Sequence, residues 1–109
     1  MYEYKCRTIR VIDGNTIDAE VDLGFNVLIR QRIKLFGVTT ACEISNQRCK
    51  IRLAELVDDE FYCRTVLNKR GKAGRALGYV YTIDINDKRI DVNKTLVDEG
   101  LATSFGDSE

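Results

Sequence analysis

A chain of 109 residues is long enough for one core, and residues 1–109 are expected to form one domain. At 44% hydrophobic and 31% charged it has the composition of a folded soluble protein, and no apolar run nears the ~20 residues of a membrane span. The 17 basic residues balance 17 acidic ones, and a chain without histidine cannot build a Ser-His or Cys-His nucleophile, so any catalysis falls to carboxylates, Lys, Arg or a metal.

Residues 8–12 are rich in β-branched side chains and read as a strand. Asp13-Gly14-Asn15 is a turn signal, because Gly and Asn tolerate positive φ. Thr16 to Leu23 alternates polar and apolar residues, the mark of a half-buried strand. Gly24-Phe25-Asn26 turns the chain again, and Val27 to Val38 reads as a long third strand, bent near Arg30-Gln31. Thr39 to Ser45 reads as a loop, after which Ser45 or Asn46 is expected to cap a helix running to about Asp58. Glu60 to Val66 returns to strand, Asn68 to Arg75 is a basic, glycine-bearing loop, and Ala76 to Ile85 is a strand turned by Asn86-Asp87. Val92 to Glu99 reads as a helix stopped by Gly100, and the tail from Phe105 is expected to fray.

The order is three strands, helix, two strands, helix. It predicts a mainly β (α+β) fold, a five-stranded Greek-key barrel of the OB-fold type with two main helices. Pattern alone leaves an open α+β sandwich as the alternative. The cysteines, Cys6, Cys42, Cys49 and Cys63, are too widely spaced for a usual zinc site and are expected to be free thiols. Met1 to Lys5 lacks the basic-then-apolar start of a signal peptide, so a cytoplasmic location is expected of a complete chain.

Four segments resemble one family. Val11-Ile12-Asp13-Gly14-Asn15-Thr16 is similar to the V-x-D-G-D-T hairpin of the staphylococcal nuclease (thermonuclease) family. Arg32 to Glu43 resembles its V-R-L-x-G-I-D-T-P-E strand and loop, Lys72 to Tyr81 its K-Y-G-R-x-L-A-x-V-Y segment, and Val92 to Ala102 its V-N-x-x-L-V-x-x-G-L-A segment. Val21 to Phe25 has the look of phage and bacterial members. The resemblance runs from about Arg10 to Ala102 and implies an OB-fold barrel that hydrolyses DNA or RNA phosphodiesters with calcium, an oxygen-seeking cation that offsets charge at phosphorus.

Carried over by position, the resemblance implies metal ligands at Asp13, Asn15 and Thr39 and catalytic groups at Lys34, Glu43 and Arg75. Asn15 and Thr39 stand where the family has carboxylates. Lys34 replaces an arginine and keeps its charge without the bidentate fork. Cys42 falls at the general-base glutamate, with Glu43 one residue later, and Arg75 matches the second phosphate-binding arginine. The resemblance therefore implies weak or absent calcium binding, weak hydrolysis, and nucleic acid bound near Lys34 and Arg75 by a monomer. A non-catalytic nucleic-acid-binding or protein-interaction module is the alternative. Tyr79, Tyr81 and Phe36 could stack on bases, but alternate tyrosines on a strand read first as barrel packing. Arg30, Arg32 and Lys34, the 69–75 loop, and Arg48, Lys50 and Arg52 form three basic sets.

Overall fold

The computed structural model describes residues 3–65 and 75–104, and only the backbone of Arg75 and Ala76. The elements run β1 (Glu3–Asp13), β2 (Thr16–Asp22), β3 (Leu28–Leu35), β4 (Val38–Thr39), α1 (Glu43–Val57), β5 (Glu60–Thr65), β6 (Arg75–Ile83), β7 (Arg89–Asp91), α2 (Val92–Asp98) and β8 (Thr103–Ser104). The strands β1, β2 and β3 form an antiparallel meander, β5 pairs with β1 and β6 with β5, and a parallel pairing of β3 with β6 closes the barrel. That seam is four pairs long, from Arg32 opposite Arg75 to Leu35 opposite Gly78. Five strands closed in this order make the expected OB-fold barrel, and the open sandwich is excluded.

Strand alternation decides which residues fill the barrel. Ile17, Ala19 and Val21 of β2, Ile33 and Leu35 of β3, Phe61 and Cys63 of β5 and Val80 of β6 are buried. In α1 the buried residues Cys49, Leu53 and Val57 recur every four positions and lay one stripe on the barrel end. In α2 the buried residues are Val92, Asn93 and Leu96. Removing this apolar surface from water is the main drive for the fold, at roughly 25 cal/mol per Å².

Several boundaries differ from the sequence reading, each for a nonlocal reason. The first strand begins at Glu3, because residues 3–7 pair with β5. The third ends at Leu35, where Gly37 takes φ +78° and starts the separate pair β4, which bonds to β8. Helix α1 begins at Glu43 with Cys42 at its N-cap, not Ser45 or Asn46. Asn46 is otherwise engaged: its Oδ1 accepts from the Gly14 N–H at 2.8 Å. A Cβ on Gly14 would lie 2.8 Å from that of Cys49, so only glycine lets the helix sit on this turn. The basic 68–74 stretch of the expected loop and the tail from Phe105 lie outside the described residues. No helix among the described residues is long and apolar enough to cross a membrane.

Candidate functional site

The Asp13-Gly14-Asn15 turn, the end of β3, β4 and the start of α1 meet at one end of the barrel. Backbone bonds fix this junction: Leu35 N–H donates to the Asn15 carbonyl and Phe36 N–H to that of Gly78. Lys34 lies between Thr16 on β2 and Leu77 on β6 in the strand register, one step from Arg32 and the Arg75 backbone position. Its neighbours Ile33 and Leu35 point inward, so the half-buried Lys34 side chain is on the outer face. Among the described residues Lys34 makes no ion pair.

The rest of the basic set on β3 is less free than its count suggested. Arg32 bonds to Asp18 at 3.0 Å, and Arg10 reaches the same carboxylate at 3.7 Å. The Arg32 hydrogen bond is the first cause holding the Asp18 carboxyl below its ordinary value, and nearby Arg10 and Arg30 act the same way. On α1, Arg52 bonds to Glu99 and Glu55. The net positive charge on this outer strand face therefore centres on Lys34 and Arg30.

Of the three positions carried over as metal ligands, Asn15 has its side chain engaged elsewhere and Thr39 is held through its backbone. Asn15 donates its side-chain N–H to the Val38 carbonyl at 3.0 Å, and its Oδ1 accepts from the Thr16 hydroxyl at 3.0 Å. A carbonyl can only accept, so the amide orientation is fixed. The Thr39 carbonyl accepts from the Thr103 hydroxyl at 3.4 Å within the β4–β8 pair. Asp13 is exposed and is the only carboxylate of the three. Calcium takes six to eight oxygens, with carboxylates setting its affinity. Among the described residues no group of three acidic, Cys or His side chains could hold a metal. One exposed carboxylate, one occupied amide and one threonine do not fit a calcium ion.

Glu43 opens α1 on the exposed side, and its carboxylate accepts from the Gln47 side chain at 2.9 Å. A first-turn carboxylate also offsets the positive end of the helix dipole. Cys42 is exposed, and its thiol is held below the ordinary value, first by a hydrogen bond from the Ser45 backbone N–H and then by the Ser45 hydroxyl. The other three thiols are buried and pushed up, Cys6 and Cys63 to about 12, with burial the first cause for each.

The roles of two positioning residues were missed in the sequence. Asn46 holds the turn, as described above. Asn93 is buried: its Oδ1 accepts from Val80 N–H at 2.9 Å, and its amide donates to the carbonyls of Phe36 at 2.9 Å and Gly78 at 3.3 Å. It thus joins α2 to both strands of the seam. A polar residue inside an apolar helix stripe was the available signal.

A meander closed into a barrel by one parallel pair, with a helix seated on its hairpin end, defines the OB-fold class of small barrels. Within that class the chain belongs to the staphylococcal nuclease homologue family, whose model matches residues 36–108, about two thirds of the 109 residues. The family is nuclease-like, in general calcium-dependent and directed at nucleic acid. Thr39, Glu43 and Arg75 lie inside the matched segment, and Asp13, Asn15 and Lys34 precede it. No curated protein matches the chain.

Proposed function

We propose that this barrel binds nucleic acid through phosphate contacts at the Lys34 end of the seam and hydrolyses it weakly, without a calcium-driven step. The observation that carries the reading is the contrast between Lys34 and Asn15. Lys34 is an outward cation with no ion pair among the described residues, at the register step beside Arg75. Asn15 is a neutral amide bonded to Val38 and Thr16 where the family has a carboxylate. Lys34 acts as a point charge on a phosphate oxygen, and Arg75, by its match to the family motif, supplies the fork. Glu43 is the available carboxylate for activating water, but its bond to Gln47 and the missing ligand charge keep hydrolysis slow.

The test pairs a binding assay with a nicking assay. Fluorescence anisotropy with a labelled oligonucleotide should give an affinity that falls with salt, with a log–log slope at least as steep as about −1.4, the share of the Lys34 and Arg75 phosphate contacts on a single strand. Lys34→Gln should weaken binding and reduce the slope by about 0.7. Nicking should be slow and equal with calcium or with a chelator. Robust calcium-dependent hydrolysis would overturn the proposal.

A further inference from the structure

The outer face of the sheet continues from the Lys34 end along β6 into a cluster that phosphate binding does not use. Gly78 and Val80 point inward, so Leu77, Tyr79 and Tyr81 share the outer face. The tyrosines are therefore not barrel packing, which corrects the sequence reading. Across the antiparallel pair, Tyr62 stands opposite Tyr81 and Arg64 opposite Tyr79. Tyr62 and Tyr81 stack with centroids 5.2 Å apart and planes 18° from parallel. Arg89 lies over the Tyr81 ring, 3.7 Å from its centroid. Glu3 fixes this layer, accepting from the Tyr81 hydroxyl at 3.0 Å and from Arg89 at 3.2 Å. Tyr79 is fixed separately, edge-on to Phe36 at 5.5 Å. Between the two rings opens a cavity of about 510 Å³ lined by Arg64, Tyr79, Val80, Tyr81, Arg89 and Asp91.

We propose that this cavity is a nucleobase slot, taking an unpaired base of the same strand whose phosphate meets Lys34. The inference rests on the nucleic-acid reading above and adds a second contact to it. Its walls are flat and held in place before binding, which lowers the ordering cost. Its lining brings the Tyr79 ring together with the Arg89 guanidinium and the Tyr81 ring that it covers, which in turn stacks with Tyr62. These present the π or planar-cation surface on which bases of any sequence stack. Arg64 is exposed, lies over the Tyr79 ring 5.5 Å from its centroid, and makes no ion pair among the described residues, so a base that takes this face of the ring displaces Arg64 toward the adjoining phosphate. The negative groups nearby are engaged: Glu3 by Arg89 and Tyr81, and Asp91 by the Lys94 N–H that it caps. Successive outward residues of a strand are about 6.8 Å apart, twice the ~3.4 Å stacking rise of a nucleic-acid strand, so a ring at each step suits a strand with its bases pulled apart. A duplex keeps both faces of each base covered and cannot enter.

The test measures anisotropy of one labelled oligonucleotide, single-stranded and annealed to its complement, with four variants. Wild type should bind the single strand at least tenfold more tightly than the duplex. Tyr79→Leu should weaken the single strand about tenfold, the scale of one lost base stack, with the salt slope unchanged. Tyr79→Phe keeps the ring and should keep the affinity. Arg64→Gln, on an exposed side chain, should weaken binding and flatten the salt slope without affecting the fold. If Lys34→Gln weakens binding but Tyr79→Leu and Arg64→Gln leave it unchanged, the slot is wrong and the phosphate reading stands. Equal affinity for single strand and duplex also overturns the slot. Failure of the wild-type protein to bind either form overturns both.

Discussion

Replacing Asn15 with aspartate separates a structural amide from a vacated metal ligand. The substitution keeps an acceptor for the Thr16 hydroxyl. It removes the donor to the Val38 carbonyl, now at 3.0 Å, and sets a carboxylate oxygen against that carbonyl. A lost hydrogen bond with its acceptor left unpaired costs about 1–3 kcal/mol. In a domain of this size each kcal/mol lowers Tm by about 4–8 °C, so Asn15→Asp should melt roughly 10 °C below wild type in a chelating buffer. Asn15→Ala, which loses both bonds and adds no charge, should fall by a comparable amount. Protonating the introduced carboxyl restores a donor, so the aspartate deficit should narrow in acid while the alanine deficit does not. The decisive arm adds calcium. An ion bound only by the folded state at a hundred times its Kd would add about 2.7 kcal/mol. Because Thr39 and the single exposed Asp13 complete the donor set poorly, calcium should not rescue the melt. Full stability of Asn15→Asp in chelator, with a further rise in calcium, would refute the account and make Asn15 a degraded calcium ligand.

Two further predictions follow from side chains already described. Asn93→Ala strands the Val80 N–H and the carbonyls of Phe36 and Gly78, and should cost at least about 3 kcal/mol in chemical denaturation; a loss below about 1 kcal/mol would mean that water takes over these bonds. A thiol reagent should modify one cysteine quickly in the native protein, Cys42, and the other three only on unfolding. The fast rate should rise with pH through a midpoint below the ordinary thiol value of 9.0, whereas Cys6 and Cys63, raised to about 12, should stay protected throughout.

The barrel was legible where the chemistry is local. Asp13-Gly14-Asn15 carries its own turn, and the alternation of Thr16 to Leu23 gives both strand and inward face. The start of α1 was not legible, because Asn46 is bonded to Gly14, 32 positions earlier, instead of capping its own helix. The two-residue strand β4 could not be read either, since Val38 and Thr39 pair with residues 103–104. The same limit applied at the site. Spacing could align Asn15 with a family carboxylate, but not reveal that its amide holds Val38. The period of Tyr79 and Tyr81 was plain while its phase was not: which face turns inward is decided by Gly78 against Cys63 on the neighbouring strand.

The closing seam also bears on the birth of the chain at the ribosome. Strand β3 is synthesised some forty residues before the partner that it meets between Arg32 and Leu35. Until β6 emerges, the growing polypeptide is an open sheet with both margins bare, β3 at one and β5 at the other, each able to pair with the wrong neighbour. Asn93 arrives later still and fastens Phe36 to Gly78. The barrel is thus shut by its last third, and a stalled or truncated product ending before α2 would leave the ribosome as a sheet without its latch.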